Sequence, residues 1–239
     1  MTTTTNTARQ LPTAHPYDDT DVIDARAPRF NQAVVGLVSL LAVLTGWWVL
    51  LALLALQLVL GLRFGRRWCL PCVAYFRLVQ PRIGEGRVED ARPPRFANMV
   101  GVVFLTGASV ACLVGLPVVG AVLGGVVAAL ALLAAVTGFC TGCEAYKLLS
   151  RLRGVRAGDV GAIDLAGLGA TAGGAVVVQF THPLCSDCHE LERRLAAGPR
   201  PLHTVDVSKR PDLARRYHVA VVPTAFAVAG DGTVLERLA

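Results

Sequence analysis

The sequence predicts two parts within 239 residues: an all-α transmembrane domain of four helices, built as two tandem two-helix repeats, and then a small α/β domain. Three observations carry this. Residues 31–62 and 97–138 contain no charged side chain. Asp24–Phe30 recurs as Asp90–Phe96 with six of seven positions identical, and each copy opens a unit that closes on aromatic-Cys-x-x-Cys-x-Ala-Tyr, at Trp68–Tyr75 and Phe139–Tyr146. After Arg156 the pattern changes to short apolar runs alternating with polar amphipathic ones. With 54% hydrophobic and only 17% charged residues, and a mean hydropathy of +0.53, the whole is too apolar for an ordinary soluble chain.

The first 21 residues are Thr-rich and then acidic, and read as a disordered tail; the first 30 contain no apolar stretch of the kind a secretory signal needs. The membrane domain covers 22–152, with repeats at 24–80 and 90–150. As one helix, 97–138 would be about 60 Å long, twice the hydrocarbon thickness. Gly115-Leu116-Pro117 divides it into helices at about 97–116 and 118–138. The run 31–62 would fit one tilted helix, but equivalent repeats call for equal crossings, and both its flanks are basic: Arg26 and Arg29 before it, Arg63, Arg66 and Arg67 after. It therefore splits near Gly46-Trp47-Trp48.

Four crossings place the N-terminus, the basic segment 81–96 and the basic stretch after Tyr146 on one side, and the two uncharged turns on the other. The basic side is then cytoplasmic. The expectation is a multi-pass inner-membrane protein with both termini and both membrane-proximal CxxC pairs on the cytoplasmic face. The net charge of +6 belongs to this topology; the bilayer is the expected partner and nucleic acid is not.

Residues 153–174 read as a Gly/Ala-rich linker and 175–239 as the α/β domain. Its elements are a strand at 175–180, a helix at 185–196, a strand at 202–207, a helix at 211–218, a strand at 224–228 and a return strand after the Gly230-Asp231-Gly232 turn. Cys185 would stand at a helix N-terminus, whose free N–H groups stabilise a thiolate, with Cys188 one turn on to close a disulfide. This strand–CxxC–helix, together with Val222-Pro223-Thr224, resembles the thioredoxin superfamily over about 65 residues. The resemblance implies a thioredoxin-like fold, Cys185 as attacking and Cys188 as resolving thiol, and Pro223 as the cis-proline beside them. Leu184, Ser186-Asp187 and His189 depart from the family's usual residues around the motif. Two other readings are a domain used only for docking, and a Zn²⁺ or Cu⁺ site of His182, Cys185, Cys188 and His189.

Cys69/Cys72 and Cys140/Cys143 allow two chemistries. As a redox relay they would exchange with Cys185/Cys188 on one face. As a metal site the four thiolates would hold a structural Zn²⁺, and the reducing cytosol suits that alternative. The fused domain favours the relay, with no resident cofactor. The unit at about 22–152, with Pro28–Phe30 and its twin CxxC motifs, is also similar to a bacterial four-helix integral-membrane family of unknown function. That likeness implies membrane location and, through genomic neighbours of some relatives, cytosolic thiol partners such as a thioredoxin or a sulfurtransferase; persulfide transfer is a further possibility. Tyr75, Tyr146, Trp47, Trp48 and Trp68 read as interfacial anchors, Trp68 or Phe139 as a conceivable quinone-stacking ring, Gln57 as a cross-helix hydrogen-bonder and Cys112 as packing. The expected function is membrane-anchored thiol–disulfide exchange.

Overall fold

The computed structural model describes residues 14–154, 161–169, 174–219 and 221–239. Residues 1–13 of the expected tail, and 155–160 and 170–173 of the expected linker, lie outside the described residues. The first apolar run forms two helices, as the repeat required. A short strand β1 (Val22–Asp24) leads into α1 (Arg26–Thr45), which stops at Gly46 in the left-handed region (φ 72°) before α2 (Val49–Phe64) returns. After a 3₁₀ turn at Arg66–Trp68 comes an irregular helical arm: α3 (Leu70–Ala74), a π segment (Tyr75–Val79) and α4 (Gln80–Ile83). The second unit repeats the plan with β2 (Val88–Asp90), α5 (Arg92–Leu113), α6 (Pro117–Thr137) and α7 (Thr141–Gly154).

Three helices, α1, α5 and α6, are long and apolar enough to cross a membrane; α2, at 16 residues, is shorter. Their outer faces carry exposed Leu37, Leu44, Val103, Val122 and Val136, surface that would be costly in water and is natural in lipid. α5 starts at Arg92, before the charge-free run. Asp90 accepts the Arg92 N–H (2.8 Å) and Pro93 suits the first turn, so two arginines enter the helix; Asp24 does the same for Arg26 (2.9 Å).

The duplication is a physical symmetry. β1 pairs antiparallel with its own counterpart β2, Val22 opposite Asp90 and Asp24 opposite Val88. Sequence gave no sign of these strands, since three residues are too few to show alternation. The helices of the first repeat pack mainly on those of the second, α1 on α6 and α2 on α5, while α5 and α6 also pack closely on each other. Small residues permit it. A Cβ on Gly36 would meet Leu132 Cγ at 2.7 Å, and one on Gly120 would meet Ala108 O at 2.9 Å and collide with Cys112 Sγ. Phe30 stacks near Tyr75 (5.9 Å) and Phe96 near Tyr146 (5.4 Å).

Two sequence expectations need correction. Tyr75 is no interfacial anchor: it is 1% exposed, and its hydroxyl donates to Asp24 (2.9 Å). Gln57 Nε2 is buried without a hydrogen-bond partner, so the expected cross-helix bond through that donor is not made. Residues 14–22 are fastened by Arg66, whose guanidinium donates to the carbonyls of Pro16 (2.9 Å), Asp19 (3.1 Å), Thr20 (3.0 Å) and Val22. Burial, and then the charge of Arg95, pulls Arg66 down to about 10, which still leaves it charged at neutral pH.

The C-terminal part contains α8 (Leu165–Leu168), β3 (Val176–Thr181), α9 (Ser186–Ala196), β4 (Leu202–Asp206), α10 (Pro211–Arg216), β5 (Thr224–Val228) and β6 (Val234–Arg237). The sheet order is β4-β3-β5-β6, with β3 parallel to β4 and the other pairs antiparallel. Its core begins earlier than the sequence placed it. Ile163, Leu165 and Leu168, read as linker, are buried in it, and Ala162 bridges to Thr233.

Candidate functional site

All three cysteine pairs lie at one end of the helix bundle, where β1 and β2 separate it from the α/β part, and each stands at a helix start. Cys69, Cys140 and Cys185 each accept the backbone N–H three residues on, at 3.3, 3.3 and 3.2 Å. This follows from CxxC at a helix N-terminus: the first N–H groups have no carbonyl within the helix, and the sulfur takes one. Cys69–Cys72 and Cys185–Cys188 are disulfides, with Cα–Cα distances of 5.1 and 5.2 Å; Cys140 and Cys143 are unbonded.

The α/β part docks through the residues inside its own motif. Ser186 Oγ accepts the Val88 N–H (3.0 Å), and Asp187 pairs with Arg87, which also reaches Glu190 (3.2 Å). Asp90 Oδ2 accepts the N–H of Val222 (3.2 Å), the residue joined to Pro223 by a cis peptide, and Arg92 donates to Val219 O (3.2 Å). Asp90 therefore accepts the first N–H of α5 with one oxygen and holds the Pro223 loop with the other. Its burial raises its pKa above the ordinary carboxylate range. Cys185 and Cys188 have no exposed surface.

Cys140 and Cys143 open onto a cavity of about 470 Å³ shared by both parts. Glu89 and Lys147 line it from the membrane side, and Asp187, Val222 and Pro223 from the α/β side. The Cys140 thiol is pushed down to about 6, first by a hydrogen bond from the Cys143 thiol and then by the Cys143 backbone N–H, the Gln32 amide and the Gly142 N–H, against the opposing effect of burial. Cys143 is pushed up by the same bond and by burial. The pair thus divides into a thiolate and a thiol.

The repeats trade partners here too. Arg29, from the first repeat, lines the cavity of Cys140/Cys143; Arg95, its counterpart, lines that of Cys69/Cys72, a cleft of about 60 Å³ that also takes in Asn98, and Gln32 lines both. The two membrane pairs thus face different cavities. Among the described residues no group of three or more His, Cys, Asp and Glu is placed to hold a metal ion. The alternative Cys₄ site of Cys69, Cys72, Cys140 and Cys143 is not assembled, and neither is one of His182, Cys185, Cys188 and His189. Instead, His182 Nδ1 accepts the Leu184 N–H (3.2 Å) and the His189 ring meets Pro183 O (2.9 Å).

The sequence family described as a domain of unknown function, DUF4395, matches residues 23–151. The chain belongs to this family. The match spans both repeats and both membrane-proximal CxxC pairs of the DUF4395 unit and stops before the α/β part. No curated protein and no solved structure matches the chain.

Sequence reasoning missed Gln32, Asp90 and Gln179. Gln179 is fully buried in β3 beneath the third pair, its Nε2 donating to Cys188 O (2.8 Å). A lone polar residue inside the run Val176–Phe180 was the available signal for it. For Asp90 the signal was its place in the repeated segment; Gln32 lies two residues beyond that segment, where the second unit has Asn98.

Proposed function

We propose that the protein is a membrane-anchored thiol–disulfide oxidoreductase in which Cys185/Cys188 exchanges with Cys140/Cys143. The observation that carries this is the shared cavity, where a thiolate-forming pair of the DUF4395 unit meets Asp187, Val222 and Pro223 of the α/β part. Exchange needs sulfur-to-sulfur contact and a thiolate attacker, and Cys140 and Cys185 both occupy helix starts that favour one. Cys143 and Cys188 are the resolving thiols. Cys69/Cys72, bonded and facing its own cleft, is the more remote pair of the relay.

The α/β part is read as thioredoxin-like. Support comes from its β-α-β-α-β-β order, its mixed sheet and the CxxC at the β3–α9 junction. The membrane part is read as four crossings in the inner membrane. α2 contributes about 24 Å, and the turns at both its ends, with exposed Trp47 and Trp68, extend it to the interfaces. The basic end, bearing all three pairs, faces the cytoplasm. Cytosolic thiol proteins would reach Cys185 when the α/β part swings off β2.

The test is a trap. With Cys143→Ser and Cys188→Ser together, mild oxidation of the full chain in lipid nanodiscs yields a Cys140–Cys185 disulfide, found by non-reducing peptide mapping. If Cys140 and Cys185 stay unlinked while both remain alkylatable, the exchange does not occur.

A further inference from the structure

We infer that the cleft between α5 and α6 that ends at Cys140 binds a lipid-dissolved quinone, the acceptor for the electrons of the Cys140/Cys143 dithiol. This rests on the thiol–disulfide reading and adds the terminal acceptor to it.

The cleft has a volume of about 150 Å³ and runs between lipid and thiol. At its outer end are Val100, Val126 and Leu130, which are 37%, 38% and 45% exposed on the helix surface that faces lipid. At its inner end are Asn31, Gln32, Asn98 and Cys140. A molecule entering there comes from the bilayer and not from the cytosol.

The inner end carries unmet hydrogen-bonding capacity. Asn31 is 4% exposed; its Nδ2 donates to Asn98 Oδ1 (3.3 Å), and its Oδ1 has no partner. Gln57 Nε2 is also buried without a partner, in the small adjoining cleft that shares Asn31, Gln32, Leu58 and Asn98 with this one. A buried polar group left unmet is costly. One buried donor and one buried acceptor suit a ligand that accepts a hydrogen bond in one redox state and donates one in the other. A quinone carbonyl takes the Gln57 N–H; a hydroquinone hydroxyl gives to Asn31 Oδ1. The apolar outer walls suit its lipid tail.

The step balances. With Cys140 as thiolate and Cys143 as thiol, one S–H bond breaks and one Cys140–Cys143 bond forms; two electrons and the Cys143 proton pass to the quinone, and water reaching the cavity on the other side of Cys140 supplies the second proton, so that hydroquinone leaves. Cys185/Cys188 in its dithiol form then returns the pair to the reduced state by exchange.

The experiment uses the full chain in nanodiscs, reduced and freed of reductant, with decylubiquinone as probe. The expected result is quinol formation with a Cys140–Cys143 disulfide, and a quinone concentration for half-maximal single-turnover rate raised about tenfold by Gln57→Met or Asn31→Leu, the loss of roughly one hydrogen bond. Quinol formation absent, or a half-saturating concentration unmoved in both variants, overturns the site. Because a buried substitution can disturb folding, the unaltered protein supplies a second measurement. Decylubiquinol, which cannot oxidise the dithiol, is expected to slow iodoacetamide labelling of Cys140 several-fold and leave Cys112 unaffected; equal labelling with and without it overturns the proposal. A cleft that holds only water gives this last result. The Cys140–Cys185 trap described above is untouched by either failure, so loss of quinone binding and loss of thiol exchange are told apart.

Discussion

Changing Cys143 to Ala removes the hydrogen bond that contributes most to holding Cys140 as a thiolate. With Cys140 at about 6, about 90% of it is ionised at pH 7; an ordinary thiol near 8.5 would be about 3% ionised. A hydrogen bond to a charged group is worth about 1.5–3 kcal/mol, or about one to two pH units at 1.36 kcal/mol each. The Cys140 midpoint then rises to about 7–8, and its ionised fraction at pH 7 falls to about 10–50%. The thiolate is present above the midpoint and lost as pH falls through it, so the variant's reactivity curve moves to higher pH with its alkaline plateau kept. The assay is iodoacetamide labelling across pH 5–9 on reduced protein, with Cys140 followed by peptide mapping. Gln32→Leu removes a weaker contribution to the same thiolate and shifts the curve in the same direction by less. A wild-type midpoint above about 8, or a Cys143→Ala curve that overlays the wild type, would refute the thiolate argument.

Tyr75→Phe deletes a buried hydroxyl bonded to Asp24 and is expected to cost about 1.5–3 kcal/mol, seen as earlier thermal unfolding in detergent. Asp90→Ala leaves the N–H groups of Val222 and Arg92 without their acceptor; after reduction, Cys185 should become several-fold more open to alkylation, and an unchanged rate would mean that Asp90 does not hold the two parts together. Gly142→Val pushes a side chain into Ala97, whose Cβ lies 2.8 Å from where the first added carbon would be. The cost is about 1–3 kcal/mol, together with slower Cys140 labelling as α7 shifts; retention of wild-type Tm and rate would show that α5 and α7 are not packed so closely.

Much of the membrane part was legible in the sequence because lipid imposes simple rules. Charge-free length marked the apolar runs, Gly46 and Pro117 marked the breaks, and the repeated Asp-Ala-Arg motif marked two equivalent units. In the α/β part, alternation and turn residues placed the strands, and CxxC after a strand placed Cys185 at a helix start. The start of that domain was missed because 161–169 is Gly- and Ala-rich, and its three buried side chains form no period long enough to read.

The sequence by itself determined which groups could do chemistry: three CxxC pairs, each able to put a sulfur on a helix N-terminus, because that depends on neighbours a few residues apart. Only the tertiary structure decided how the pairs are grouped. The β1–β2 pairing and the exchanged helix partners set Gln32 of the first repeat against Cys140 of the second, and Asn98 of the second against Cys69/Cys72 of the first. Asp90, which accepts an N–H at the start of α5 through its place in the chain, becomes an anchor of the α/β part only because Val222 comes to it from 132 residues away. Local spacing fixes a helix start. Which pair meets which depends on packing between segments far apart in the chain, and no local pattern records that.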